Sequence, residues 1–257
     1  MVSVTEILAI LESKVAPVAL SRAYCEKFGA YDNSGILLDC GKAVTGILFS
    51  LDFSAAALSV AKQKGYNLIV THHPAIYSPV RKIEGTLLDA AMSGISVISM
   101  HLNFDMATMG IDERLMLGLG GKHPVAVLET VGENAYGRVY DVPVTTLESL
   151  QKRIEGEFRT QRTVFYGEKN KRICRIASFC GAGADEKAVA FAAENGADVL
   201  VSADFKHHII AMAIERGLSV AQMTHYASES YGFIGIYKNI LADLPVPTDY
   251  FEDGSLL

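Results

Sequence analysis

The sequence is short of cysteine, of clustered positive charge and of long apolar runs, and each shortage removes a class of function. Its four cysteines, Cys25, Cys40, Cys174 and Cys180, form no Cys-x-x-Cys pair. Cys174 and Cys180 lie in or beside an apolar segment, so the four read as buried thiols of a reducing compartment rather than as disulfides or metal ligands. Lys and Arg number 23 against 29 Asp and Glu, a net charge of −6, and no long basic cluster occurs. Nucleic acid is therefore not an expected partner, because affinity for a phosphate backbone needs concentrated positive charge. The first sixteen residues lack a basic start and a continuous apolar block. Instead Val4, Ile7, Leu8, Leu11 and Val15 recur at helical spacing, and Ser3 with Glu6 suits a capping box. A cytoplasmic protein without a membrane segment is expected.

What is present is a chain of 257 residues, half of them hydrophobic, enough for one large domain or two lobes with real cores. From Val44 the pattern becomes periodic. A strand through V-T-G-I-L-F-S-L precedes a helix from Ser54 to Lys64, closed by Gly65, and then the strand N-L-I-V-T-H-H-P. Downstream, Ile173–Phe179 reads as a strand, Asp185–Asn195 as a helix closed by Gly196, and A-D-V-L-V-S-A-D as the next strand. Each series continues through a further helix, around Thr86–Ser93 and His207–Arg216. The strands I-S-V-I-S-M-H and L-S-V-A-Q-M-T-H follow.

Alternation of this kind predicts parallel βαβ units, and its recurrence predicts an α/β fold of two similar lobes related by internal duplication, residues 1–124 and 125–257. Between the copies, Val125–Gly167 supplies strands and a helix from Thr146 to Phe158 that are read as structural. Ligands of open α/β sheets bind beyond the carboxyl ends of the strands. In copy one those ends carry His72, His73 and His101; in copy two they carry Asp204 and His225. Lobes facing each other would bring these ends to one cleft.

Two pairs share one spacing, His101 with Asp105 and His225 with Glu229, four apart and so on one face of a helical turn. One such pair is commonplace. Three histidine-bearing strand exits at equivalent points of a duplicated framework predict a metal site. Imidazole and carboxylate without thiolate favour Zn, Mn, Fe or Co over a structural zinc. Five or six ligands exceed the needs of one open tetrahedral ion and a carboxylate such as Glu229 can bridge, so two divalent ions about 3.5–4 Å apart are expected, with hydrolysis by an activated water as the default reaction.

Across nearly its whole length the chain resembles the GTP cyclohydrolase I type 2 family, also called NGG-interacting-factor-three-like. The resemblance rests on D-N-S-G at Asp32, S-L-D at Ser50, T-H-H-P at Thr71, H-L-N-F-D at His101, S-A-D-F-K-H-H at Ser202 and H-Y-A-S-E at His225. It implies two metals between two α/β lobes, with His72, His73, Asp105, His225 and Glu229 as ligands and His101 beside them as a proton carrier or further ligand. It also implies a small-molecule substrate, with GTP the one in the family's name, and a ring-shaped homohexamer. Tyr31 replaces the family's usual tryptophan, Leu102 its threonine and Ala203 a frequent glycine; none of the three is an implied ligand. Arg81, Lys82 and Lys206 are candidate phosphate contacts. A metal-handling or interaction protein without turnover is the alternative reading.

Overall fold

The computed structural model describes Met1–Leu257. Along the chain the first elements are α1 (Val4–Lys14), α2 (Val18–Phe28), β1 (Gly35–Leu38), β2 (Ile47–Ser50), α3 (Ala55–Lys64), β3 (Leu68–Thr71), α4 (Gly85–Ser93), β4 (Ser96–Ser99) and the short α5 (Leu102–Met106). There follow α6 (Ile111–Gly118), β5 (Pro124–Val131), β6 (Asn134–Thr146), α7 (Leu147–Glu157), β7 (Val164–Tyr166), β8 (Arg172–Ser178), α8 (Glu186–Glu194), β9 (Val199–Ser202), α9 (His207–Glu215), β10 (Ser219–Gln222) and α10 (His225–Ile240). A 3₁₀ turn at Leu241–Asp243 leads to β11 (Thr248–Phe251). No helix is long and apolar enough to cross a membrane.

The helix starts obey local chemistry. Ser3 accepts the Glu6 amide while the Glu6 carboxylate accepts the Ser3 amide, the reciprocal capping box expected for α1. Ser54, Thr146 and Asp185 cap α3, α7 and α8 through their side-chain oxygens. Gly65 and Gly94 end α3 and α4 with left-handed backbone (φ 70° and 68°), a conformation glycine reaches without a Cβ penalty.

The chain forms two compact units, Met1–Ala107 with Phe233–Glu252, and Thr108–Gly232 with Asp253–Leu257. The sequence reading set one boundary at 124/125. The observed division falls earlier, because α6 belongs to the second unit, and the chain returns to the first unit at Phe233. That return was not visible in the periodicity, since β11 is four residues long and pairs with β2, about two hundred residues away along the chain.

Unit 1 holds a five-stranded sheet of order β1-β4-β3-β2-β11, parallel except for the edge strand β1. Its central strands are buried on both faces, as crossover helices require. Side chains alternate along a strand, so Leu48 and Ile69 pack with Ala57, Leu58, Ala61 and Ala90 on one side. Phe49 turns the other way, its ring centroid 5.0 Å from Tyr237 and 6.2 Å from Phe233. Burying such a ring contributes about 1.5–3 kcal/mol.

Unit 2 holds a six-stranded sheet of order β5-β6-β8-β9-β10-β7, with β8, β9 and β10 mutually parallel and the rest antiparallel. Its core joins Ala177 and Leu200 of the sheet, with Phe179 just past β8, to Ala188, Val189 and Ala192 of α8 and Ile209 and Ala213 of α9.

The duplication is borne out and is longer than the sequence suggested. Both sheets contain the order edge–last–middle–first, β1-β4-β3-β2 and β7-β10-β9-β8, with the edge strand antiparallel in each. The repeat is therefore helix-strand-strand-helix-strand-helix-strand-helix, α2 to α5 and α7 to α10. So α7 and β7, read from sequence as part of a structural spacer, are the opening of the second copy, and only the β5–β6 hairpin is extra. A matched pair of residues carries the same task in both copies. Asn67 Oδ1 accepts the Thr45 amide at 2.8 Å and its carbonyl accepts Ser96 N–H at 2.9 Å; Asp198 Oδ2 accepts the Cys174 amide at 2.7 Å and its carbonyl accepts Ser219 N–H at 2.9 Å.

One buried ion pair secures unit 2. Asp112 accepts hydrogen bonds from the Arg138 guanidinium, from Gly137 N–H at 3.0 Å and from Cys180 N–H at 3.1 Å. Burial pushes the Asp112 carboxyl up, and these three donors oppose that shift. Replacing Asp112 by Ala would strand a guanidinium that is 4% exposed. The expected loss is about 3–5 kcal/mol, read as a lower urea midpoint; an unchanged midpoint would show that the pair contributes no net stability.

Candidate metal centre

In unit 1 the end of β3 is locked before it turns. Thr71 Oγ1 lies 2.8 Å from Ser99 Oγ on β4 and donates to the His73 carbonyl at 2.8 Å. The amides of His72 and His73 both donate to the Leu51 carbonyl, at 3.2 and 3.0 Å. The two histidines are thus tied to the exit of β2 through backbone before their side chains are considered. The third, His101, is the N-cap residue of α5 at the exit of β4, its amide donating to Ser34 Oγ at 3.0 Å.

Each ring is then oriented by a bond at Nδ1. His72 Nδ1 donates to the Met100 carbonyl at 2.9 Å, His73 Nδ1 to Asp52 Oδ1 at 2.7 Å, and His101 Nδ1 to Asp32 Oδ1 at 2.8 Å. With Nδ1–H committed to an oxygen, each neutral imidazole offers Nε2 as its ligating nitrogen. The rings cluster, with centroids 4.9 Å (His72–His73), 5.1 Å (His72–His101) and 5.8 Å (His73–His101) apart. Each offers a ring nitrogen within 4.8 Å of the others. Asp105, four residues past His101 and 4% exposed, puts Oδ1 3.4 Å from His72 Nε2. Two ligand atoms about 2.0–2.2 Å from one tetrahedral ion sit at about that separation.

Asp32 is the best-held of these carboxylates. Burial alone would raise its carboxyl, but hydrogen bonds from His101, Ser34 and Ser21 bring it down to about 2. It therefore stays ionised across the physiological range.

Unit 2 carries the second spaced pair. His225 opens α10, and its Nε2 lies 3.0 Å from Glu229 Oε2 one turn on. Its Nδ1 donates to Asp204 Oδ2 at 2.5 Å. Asp204 has left-handed backbone, φ 50°, at the exit of β9, a conformation that aspartate tolerates better than most residues at a cost of order 1 kcal/mol. Glu229 is buried, 3% exposed, whereas a third of the His225 side chain meets solvent.

Unit 1 thus gathers His72, His73, His101 and Asp105, and unit 2 pairs His225 with Glu229. The phosphate candidates are less committed. Arg81 and Lys82 lie on the exposed segment after His73, with Lys82 paired to Glu84 at 2.8 Å, and Lys206 precedes α9. Sequence reasoning gave no role to Asp52 or Asp32 and did not join Asp204 to His225. The signal available was that each is a carboxylate in a loop at or beside a strand end, but which histidine each holds depends on tertiary structure. All four cysteines are free thiols, but only Cys180 is buried as expected; Cys25, Cys40 and Cys174 are partly exposed.

The sequence model of the family described as Duf34/NIF3 (NGG1p interacting factor 3) matches residues 3–249. The chain is 28% identical over 220 residues to a protein of Lactococcus lactis named GTP cyclohydrolase 1 type 2 homolog, covering 81% of this chain and 84% of that one. It is 26% identical over 248 residues to the Helicobacter pylori protein named GTP cyclohydrolase 1 type 2, covering 94% and 92%. Among solved structures, a hypothetical protein of Staphylococcus aureus superposes with a TM-score of 0.82 at 22% identity, over 98% of this chain and 96% of that one. This last likeness is one of fold.

The ring-orienting carboxylates generate a prediction. Asp52→Ala releases His73 from its Nδ1 partner without touching a candidate ligand atom, and outer partners of metal-binding histidines are worth about 10- to 100-fold in metal affinity. Chelator competition with Zn²⁺ should show that loss at an unaltered circular dichroism spectrum. Equal affinity for wild type and variant would mean that the bond at Nδ1 is incidental.

Proposed function

The chain belongs to the Duf34/NIF3 (NGG1p interacting factor 3) family, and from that premise we propose that it is a dinuclear metal-dependent hydrolase of a nucleotide or related small molecule. The observation that carries the reading is the common treatment of His72, His73, His101 and His225, whose Nδ1 atoms all donate to a fixed oxygen. Core histidines need one hydrogen bond; four strand-exit histidines all oriented through Nδ1 suit metal ligation through Nε2.

In this reading His72, His73, Asp105, His225 and Glu229 would hold two divalent ions, of Zn, Mn, Fe or Co. Such ions supply a nucleophilic water near neutral pH and polarise the group it attacks. The chain's own residues do the rest. Leu51 and the β2 exit keep the His72-His73 pair in place, and the buried Asp105 carboxylate adds negative charge beside His72. His101 carries protons: its Nδ1–H is anchored on Asp32, so Nε2 takes a proton and returns it to a departing nitrogen, with ionised Asp32 stabilising the imidazolium between the two events. The names of the relatives make GTP the first substrate to test, with opening of the purine imidazole ring and release of formate as the readout.

His101→Gln should lower turnover by about 10²–10⁴ while metal content stays near that of wild type; His73→Ala should lower both, and chelation should abolish activity in the wild type. Wild type with two bound metals that releases no formate but cleaves another small substrate would keep the hydrolase class and remove GTP. Turnover of nothing in a nucleotide panel would favour metal handling instead.

We further place the protein in the cytoplasm as a homohexamer. Support comes from the family resemblance and from exposed apolar side chains on one stretch, Tyr77, Val80, Ile83, Leu88 and Met92, between 39% and 80% exposed, which a subunit contact would cover. Light scattering should return about six times the 27.8 kDa chain mass; a stable monomer at micromolar concentration would refute the assembly.

A further inference from the structure

The loop that leaves β8 reads Cys180-Gly181-Ala182-Gly183, and its first two residues have no slack. Cys180 donates its amide to Asp112 Oδ1 at 3.1 Å and accepts from Tyr136 Oη at 2.8 Å. Gly181 donates its amide to Ser228 Oγ at 3.0 Å, and its carbonyl accepts both the Ala203 amide and Ser202 Oγ, each at 3.0 Å. Every backbone polar group of the two residues is thus bonded, to α6, β6, α10 and the end of β9. Displacing the loop would break several buried hydrogen bonds together.

Gly181 also has left-handed backbone, φ 56°. A Cβ built on it would fall 2.2 Å from Glu229 Oε1, 3.2 Å from Glu229 Cδ and 3.1 Å from His225 Nε2. Such an approach cannot stand, and the pinned loop is not what yields. The carboxylate at the end of a flexible side chain is, and it is buried with little room to turn. We infer that Gly181 is a positioning residue for Glu229: the missing side chain is the space in which the carboxylate stands against His225. Nothing in its backbone role demands this, since a left-handed turn is found in many glycines of the chain without any neighbour in the Cβ direction.

Gly132 is one of those and supplies the control. It has φ 60°, forms the two-residue turn between β5 and β6, and a Cβ there meets nothing within 4 Å. Gly132→Ala and Gly181→Ala therefore impose a similar left-handed penalty, and they differ in whether a carboxylate must move.

The inference rests on the reading that Glu229 is a metal ligand, and the experiment separates the two. Zn²⁺ affinity is measured by chelator competition for wild type, Gly181→Ala and Gly132→Ala, alongside melting temperature of the metal-free proteins. Both variants should lose a similar few degrees. Only Gly181→Ala should lose metal affinity, by about tenfold or more, the range of changes to groups that orient ligands. If wild type binds no Zn²⁺, the ligand reading fails. If wild type binds and the two variants bind alike, the assignment of Gly181 fails. Should Gly181→Ala not fold, Ser228→Ala, which removes the acceptor of the Gly181 amide while keeping the glycine, should weaken Zn²⁺ binding, and unchanged binding would overturn the inference.

Discussion

A neutral imidazole has one proton to place, and this protein places it four times in the same way. The rings of His72, His73, His101 and His225 each commit Nδ1–H to an oxygen that the fold holds still: a carbonyl on Met100, or a carboxylate on Asp52, Asp32 or Asp204. A ring so held cannot flip or change tautomer without losing that hydrogen bond, so the direction of Nε2 is set before any ligand arrives. The rest of the architecture follows from that need. Parallel strands end in register, their exits carry the histidines, and the loops beside those exits carry the oxygens.

The internal duplication shows how one framework was put to two uses. Asn67 and Asp198 do the same backbone work at the entrances of the equivalent strands β3 and β9. At the exits the copies diverge. Thr71 leads into His72 and His73, both turned toward the cluster in unit 1, whereas Ser202 leads into Ala203 and Asp204, an apolar residue and a carboxylate that reaches back to His225. The position that offers an imidazole in one copy offers, in the other, the group that orients an imidazole. The exit of β2 supplies Asp52, and the exit of β8 supplies a glycine. Backbone geometry repeated while the polar chemistry was redistributed.

Much of this was legible in the residues. Apolar strands such as Leu68–Thr71, the glycine that closes α3 and the capping box at Ser3 are local signals, and the structure follows them to within a residue or two. The spaced pairs His101–Asp105 and His225–Glu229 were legible too, because a helical turn brings fourth neighbours together regardless of context. What was hidden depends on partners distant in sequence. The bond of Asp32 to His101 spans 69 residues and that of Asp52 to His73 spans 21, and no periodicity encodes either. The start of each copy was hidden for a related reason: β1 and β7 read as short strands, but that each opens a copy shows only in its antiparallel pairing with β4 or β10.

The way the first sheet is finished bears on how the molecule is made. Strand β2 is complete by Ser50, yet its outer neighbour β11 begins at Thr248, and Phe49 rests on Phe233 and Tyr237. A chain emerging from the ribosome exposes one face of its earliest parallel strands until some 180 further residues have been added. Meanwhile Thr108–Gly232 has all six of its own strands and can close. Vectorial synthesis usually favours the amino-terminal part; here it favours the middle, and the segment bearing the histidine cluster is the last to be sealed.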